Sequence, residues 1–266
     1  MRTDGPRLLA LVAHPDDETF GLGSVLARAA AEGAEVSVCC ATRGEAGEPA
    51  PGSGVAPADL GRVREAELRA AAAVLGVAHV ELLDLRDSGM AGTPAAGTLA
   101  ATPIEDLTRT LLAVIERHRP HLVLTLDGSD GHRDHVHVRD ATLAAVERSR
   151  WTVERVLLHG LPRSLLRRWA DVVRDRDPDS PYLDVDEAGL GTPDGAITTI
   201  LDTSAHLEQR RRAIACHASQ VSPFADLPAD LEHAFLASDH LRRVRPAAPA
   251  GTHETQLYAR PSATAG

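Results

Sequence analysis

Short apolar runs of six or seven residues alternate along this chain with amphipathic stretches at least twice as long, and that rhythm restricts the fold. Each run is too short for a helix, and the gaps are too long for hairpins. The pattern is that of βαβ units, with parallel strands in one sheet and helices on both of its faces. The expected class is therefore α/β, Rossmann-like, with a largely parallel sheet.

The runs place strands at 8–13, 36–41, 79–85, 121–126 and 155–161, with a sixth at 196–202. Between them the spacing predicts helices from Glu18 or Thr19 to Glu32, over 61–77 with Val63, Leu68, Ala72 and Leu75 inward, over 104–118, and from His135 to about Ser149. A further helix, Ser204 to Cys216, should bury Leu207, Ile214 and Ala215. Residues 43–59 and the stretch RDSGMAGTPAAGT read as loops rich in Gly, Pro and Ala. From Pro162 to Asp194 the pattern loosens and reads as an insertion, and 260–266 reads as a frayed tail. There is no internal repeat, so residues 1–266 are expected to form a single domain.

Composition removes several classes of function. The formal charge of -10 argues against nucleic-acid or membrane-surface binding, since both rely on clustered Lys and Arg. With 3% aromatic residues there is no stacking platform for single strands. No apolar run approaches the roughly 20 residues of a membrane span, the N-terminal apolar stretch is too short for a signal peptide, and three cysteines make no even disulfide framework. The expectation is a cytoplasmic protein with a small-molecule substrate; association of copies into a homo-oligomer stays open.

The first apolar run ends in His-Pro-Asp-Asp-Glu, residues 14–18, where like charges repel unless something positive offsets them. The fourth ends in Asp127, Asp130, His132, Asp134, His135 and His137. In open parallel sheets, ligands bind past the carboxyl ends of strands where the strand order reverses. With an order 3-2-1-4-5, these two clusters face each other. Taken singly, the first could be a turn in which Asp17 caps the next helix, and the second a solvated helix start. Together they resemble a metal site. His14 and Asp17, three apart across a proline, can reach one ion, and His135 supplies a third ligand; imidazole with carboxylate suits zinc and leaves a position for water. Asp16 is then placed as general base and His132 as the acid that protonates a departing amine. His137 is expected to be structural or to support a ligand, and His159, closing a strand, is a weak pocket candidate.

Other catalytic signatures are missing. The segment GLGS at Gly21 lacks the third glycine of a dinucleotide loop, and there is no G-x-S-x-G elbow and no Walker-type phosphate loop. A metallophosphoesterase would need a second ligand set.

The pair AHPDDE and GHRDHVH, supported by RVREAELRAAAAVLGV, RDSGMAGTP and CHASQ, resembles the PIG-L/LmbE-like zinc deacetylases. RDSGMAGT is closest in motif to their mycothiol branch, which comprises an N-acetylglucosaminyl-inositol deacetylase and a mycothiol-conjugate amidase. The resemblance implies a Rossmann-like fold, one zinc per chain, and removal of an acyl group, most often acetyl, from an amino-sugar conjugate. It implies the same ligands, His14, Asp17 and His135, with Asp16 as base and His132 as acid. It also implies substrate contacts at Arg64, Asp87 and Glu48; on local grounds Arg64 could instead pair with Glu67, and Asp87 could open a turn. The family's mycothiol branch usually carries a tyrosine shortly before the histidine pair; this chain has DGSDGHRDH there. An amidase for a larger thiol conjugate or natural-product glycoside, or a metal-bearing sugar-binding module, are the alternatives.

Overall fold

The structure, a computed structural model, describes residues 5–90, 92–175, 178, 183, 185, 189–249 and 251–258. Seven strands, β1 (Arg7–Val12), β2 (Glu35–Thr42), β3 (His79–Leu85), β4 (Leu122–Leu126), β5 (Arg155–His159), β6 (Thr199–Asp202) and β7 (Ser238–Arg245), form one sheet in the order β3-β2-β1-β4-β5-β7-β6. The first five are parallel, as their connections require, while β7 runs antiparallel to both β5 and β6.

The helices are α1 (Asp17–Phe20), α2 (Gly23–Ala31), α3 (Leu60–Leu75), α4 (Ile104–His118), α5 (Arg133–Arg148), α6 (Arg163–Arg174), α7 (Leu207–Ile214) and α8 (Ala229–Leu236). Alternate residues of β1 enter different cores. Leu8, Ala10 and Val12 pack with α2 and α3, whereas Leu9 and Leu11 pack with α4 and α5. This period of two, with both faces apolar, explains why the strand reads as an unbroken hydrophobic run. A smaller cluster joins Leu166 and Ala170 of α6 to Val185 and Leu190.

Several expectations change in detail. The single helix expected from residue 18 or 19 to 32 is broken at Gly21–Leu22. A Cβ on Gly21 would lie 2.8 Å from Leu126 Cδ2, so the chain turns there against β4. On α3 it is Arg64, not Val63, that is fully buried. On α7 the buried residues are Arg210 and Ala213, with Leu207 and Ile214 half-buried and Ala215 exposed. The segment after Pro162 begins with α6, and residues 176, 177, 179–182, 184 and 186–188 of the expected insertion, like the expected tail, lie outside the described residues. Among the described residues no helix is long and apolar enough to cross a membrane.

Candidate metal and hydrolytic site

β1 and β4 are hydrogen-bonded neighbours, and their carboxyl ends deliver the two polar clusters to one place. Asp17, at the start of α1, accepts hydrogen bonds on Oδ2 from the backbone N–H of Ala13 and His14, at 3.0 and 2.9 Å. Its other oxygen, Oδ1, stands 3.2 Å from His135 Nε2. His14 Nδ1 lies 3.3 Å from His135 Nε2 and 3.8 Å from Asp17 Oδ2. All three residues are buried.

The outer nitrogens of these imidazoles are already engaged. His14 Nε2 faces Asp134 Oδ2 at 3.1 Å and Asp87 Oδ1 at 3.4 Å, and His135 Nδ1 faces Asp130 Oδ2 at 2.5 Å. In the neutral tautomers those nitrogens carry the hydrogens, which leaves His14 Nδ1, His135 Nε2 and the Asp17 carboxylate as acceptors pointing at one another. Such a convergence is unfavourable without a positive charge at its centre. The acids around them raise both histidines against the opposing effect of burial, His14 to about 9 and His135 well above the ordinary value. Ligands about 2.0–2.1 Å from a tetrahedral ion stand roughly 3.3 Å apart, close to the separations seen. The residues therefore fit a divalent cation of zinc's preferences, and the carboxylates behind the imidazoles are the usual orienting partners of metal-binding histidines.

Among the described residues, the triples whose donor atoms all lie within 4.8 Å of one another are His14, His132 and His135, and His14, Asp87 and Asp134; Asp17 meets the two histidines of its own cluster through different oxygens, Oδ1 to His135 and Oδ2 to His14. The second triple gathers at the outer nitrogen of His14, whose hydrogen already answers both acids. His132 caps α5, its Nδ1 accepting from the Asp134 N–H at 3.1 Å, so its hydrogen resides on Nε2. Its ring stacks on His135 with centroids 4.7 Å apart and meets His14 edge-on at 4.5 Å. Burial first, then those two neighbours, lower its pKa to about 4.

Asp16 adopts φ 115°, a left-handed conformation that is costly for a residue with a side chain. Its N–H is held by Glu18 Oε2 at 2.9 Å, and Arg64 Nη2 donates to its Oδ2 at 2.9 Å. Burial pushes the Asp16 carboxyl up to about 6 although Arg64 opposes it. Arg64 also donates to the carbonyls of Gly44 and Pro15. Asp87 lies behind His14 and accepts from the N–H of Gly89 and Ala46. Glu48 is exposed on the loop after β2. His137 Nε2 donates to the carbonyl oxygen of Thr102 at 2.8 Å.

Sequence reading did not assign Asp130, Asp134, Glu18 or His217 a role. Glu18 is fully buried and accepts from Thr19 and from His217 Nε2, at 2.5 and 2.8 Å. Only the CHASQ motif hinted at His217. Of the chain's two tyrosines, Tyr258 lies in the C-terminal segment and Tyr182 lies outside the described residues.

With this geometry in hand, the comparisons with known proteins decide the family. The PIG-L pattern, GlcNAc-PI de-N-acetylase, matches residues 9–146, just over half of the chain. This chain belongs to the PIG-L family. A 1D-myo-inositol 2-acetamido-2-deoxy-alpha-D-glucopyranoside deacetylase of Nakamurella multipartita is 40% identical over 91% of this chain and 87% of its own. The protein of the same name from Geodermatophilus obscurus is 35% identical over 91% of this chain and 93% of its own. Among solved structures, a deacetylase in the biosynthesis pathway of teicoplanin superposes with a TM-score of 0.62 at 25% identity, covering 89% of this chain and 97% of that one. The matched residues span β1 to β4 and include both polar clusters.

From the cluster a cavity of about 340 Å³ opens on the side of Asp17 and His135. Phe20, Leu126, Leu166, Trp169, Phe224 and Phe235 are among its walls. Arg64, Asp87, Asp16 and His132 are not; they flank the cluster elsewhere.

Proposed function

We propose that the chain is a zinc-dependent hydrolase that removes an acyl group from an amino-sugar conjugate, with the N-acetylglucosaminyl-inositol of its relatives as the nearest substrate class. The observation that carries this reading is the meeting of His14 Nδ1, His135 Nε2 and Asp17 within 3.2–3.8 Å, each imidazole backed by a carboxylate, beside Asp16 and His132. His14, Asp17 and His135 would hold the ion. Bound there, it would polarise an amide carbonyl and bring water's pKa toward 7.

The remaining steps fall to side chains. Asp16, whose pKa near 6 sits close to neutrality, takes the proton of the attacking water. Arg64 fixes the carboxylate that does so by donating to its Oδ2. His132, neutral at pH 7 with its hydrogen on Nε2, hydrogen-bonds the tetrahedral intermediate, and the proton that Asp16 took from water passes to the departing nitrogen; the products are a carboxylate and a free amine. Arg64, Asp87 and Glu48 are the proposed sugar-side contacts. A binding module without catalysis would need neither Asp16 nor His132 so placed.

The test is amine release from a panel of N-acetylglucosamine derivatives. Activity should vanish on chelation and return with zinc. Asp16→Asn should lower kcat by about 10²–10⁴-fold with metal content kept, and His14→Ala should lose the metal. Amine release that survives complete chelation would remove the reading.

A further inference from the structure

The cavity beside Asp17 and His135 is far larger than a methyl group requires. At about 340 Å³ it reaches, by itself, the range of roughly 300–1,000 Å³ typical of whole ligand pockets. It continues directly from the cluster, and α6, the 223–224 segment and α8 wall it with Leu166, Trp169, Phe224 and Phe235.

Its charged neighbours are already spent. Asp130 holds His135. Asp127 accepts from the Thr192 hydroxyl and from the Ser129 N–H. Arg210 gives its hydrogens to Thr19 O, Phe20 O and Asp239. Burial lowers the pKa of both His159 and His240. A hydroxyl-rich sugar would find few partners in this chamber and would leave its own polar groups unpaired. The sugar-side contacts proposed above, Arg64, Asp87 and Glu48, all lie outside the chamber.

An amide presented to the cluster has two sides. The nitrogen side must meet Asp16 and His132, and neither lines the chamber. We propose that the chamber receives the acyl chain of the substrate, and that the chain it takes is an aliphatic acyl group longer than acetyl. This rests on the hydrolase reading above and replaces the acetyl group of its amino-sugar substrate with a longer acyl chain. Water's oxygen adds to the acyl carbon, the C–N bond breaks, and the products are a fatty carboxylate and the amino sugar.

Three probes separate the outcomes: N-acetylglucosamine, N-octanoylglucosamine and the octyl glycoside of N-acetylglucosamine. One methylene in an apolar pocket changes specificity by about tenfold or more, so kcat/KM for the octanoyl amide should exceed that for the acetyl amide by at least about tenfold. Leu166→Trp, which fills the chamber from α6, should reduce the octanoyl rate at least about tenfold more than the acetyl rate. Independently of turnover, the octanoyl amide should shift the emission of Trp169, and the octyl glycoside should not. The proposal is overturned if the acetyl amide is preferred, if the octyl glycoside is the probe that gains, or if Leu166→Trp leaves the acyl preference unchanged. Release of acetyl alone would sink the chamber's role and keep the hydrolase; no amine from any probe would sink both.

Discussion

Three consecutive acids after β1 are tolerated side by side because each faces a different cation or donor set. Asp16 meets Arg64, Asp17 meets His14 and His135, and Glu18 meets His217. The same economy governs the imidazoles, so their supporting acids are sensitive points. Asp130→Ala should weaken zinc binding by about 10–100-fold, measured by competition with a chelator, because His135 loses the group that fixes its tautomer. Arg64 is positioned by absence as well as by bonds. Gly44, at φ +65°, leaves room that a Cβ would take from the guanidinium. Gly44→Ala should displace Arg64 and with it Asp16, lowering kcat/KM by about 10²-fold in the amine-release assay. His14, Asp16 and Asp17 were legible in the sequence because a proline turn holds them within four residues. Asp134 and His217 were not, since their partners lie 120 and 199 residues away.

At the scale of elements, local signals predicted most strands and helices, and failed where a distant segment overrode them. The periodicity of residues 18–32 is that of one helix, yet β4 pressing on Gly21 divides it. The carbonyls of Thr19 and Phe20 that this break exposes are taken by Arg210 from α7. β7 was missed altogether: in SDHLRRVR only Leu241 and Val244 are apolar, three apart and out of strand period, and the antiparallel pairing with β5 and β6 that recruits it is invisible locally. β5 carries a testable consequence. Burial, with Arg210 and His240 adding to it and Asp130 opposing, lowers the pKa of His159 to about 3 from 6.5. Between those values the unfolded chain binds the proton that the folded chain refuses. Stability from this group is thus complete above about pH 6.5 and declines as pH falls toward 3. His159→Gln should flatten that decline, read as denaturant midpoints between about pH 4 and 7.

The molecule as a whole is tied together by the buried pair of Arg210 and Asp239, 3.3 Å apart, which joins α1, α2, α7, α8 and β7. Removing one partner leaves a buried charge without its counterpart. Arg210→Leu should cost about 3–5 kcal/mol in unfolding experiments, and adding Asp239→Leu should restore part of it. By itself, the order of amino acids determined the parallel half of the sheet and the two polar turns, because apolar periodicity and proline geometry act over a few residues. Only the tertiary structure decided which carboxylate stands behind each imidazole, where the helix after β1 breaks, and that an apolar chamber adjoins the site. Those features depend on contacts between segments far apart in the chain, and their free energy appears only when the sheet has brought the segments together.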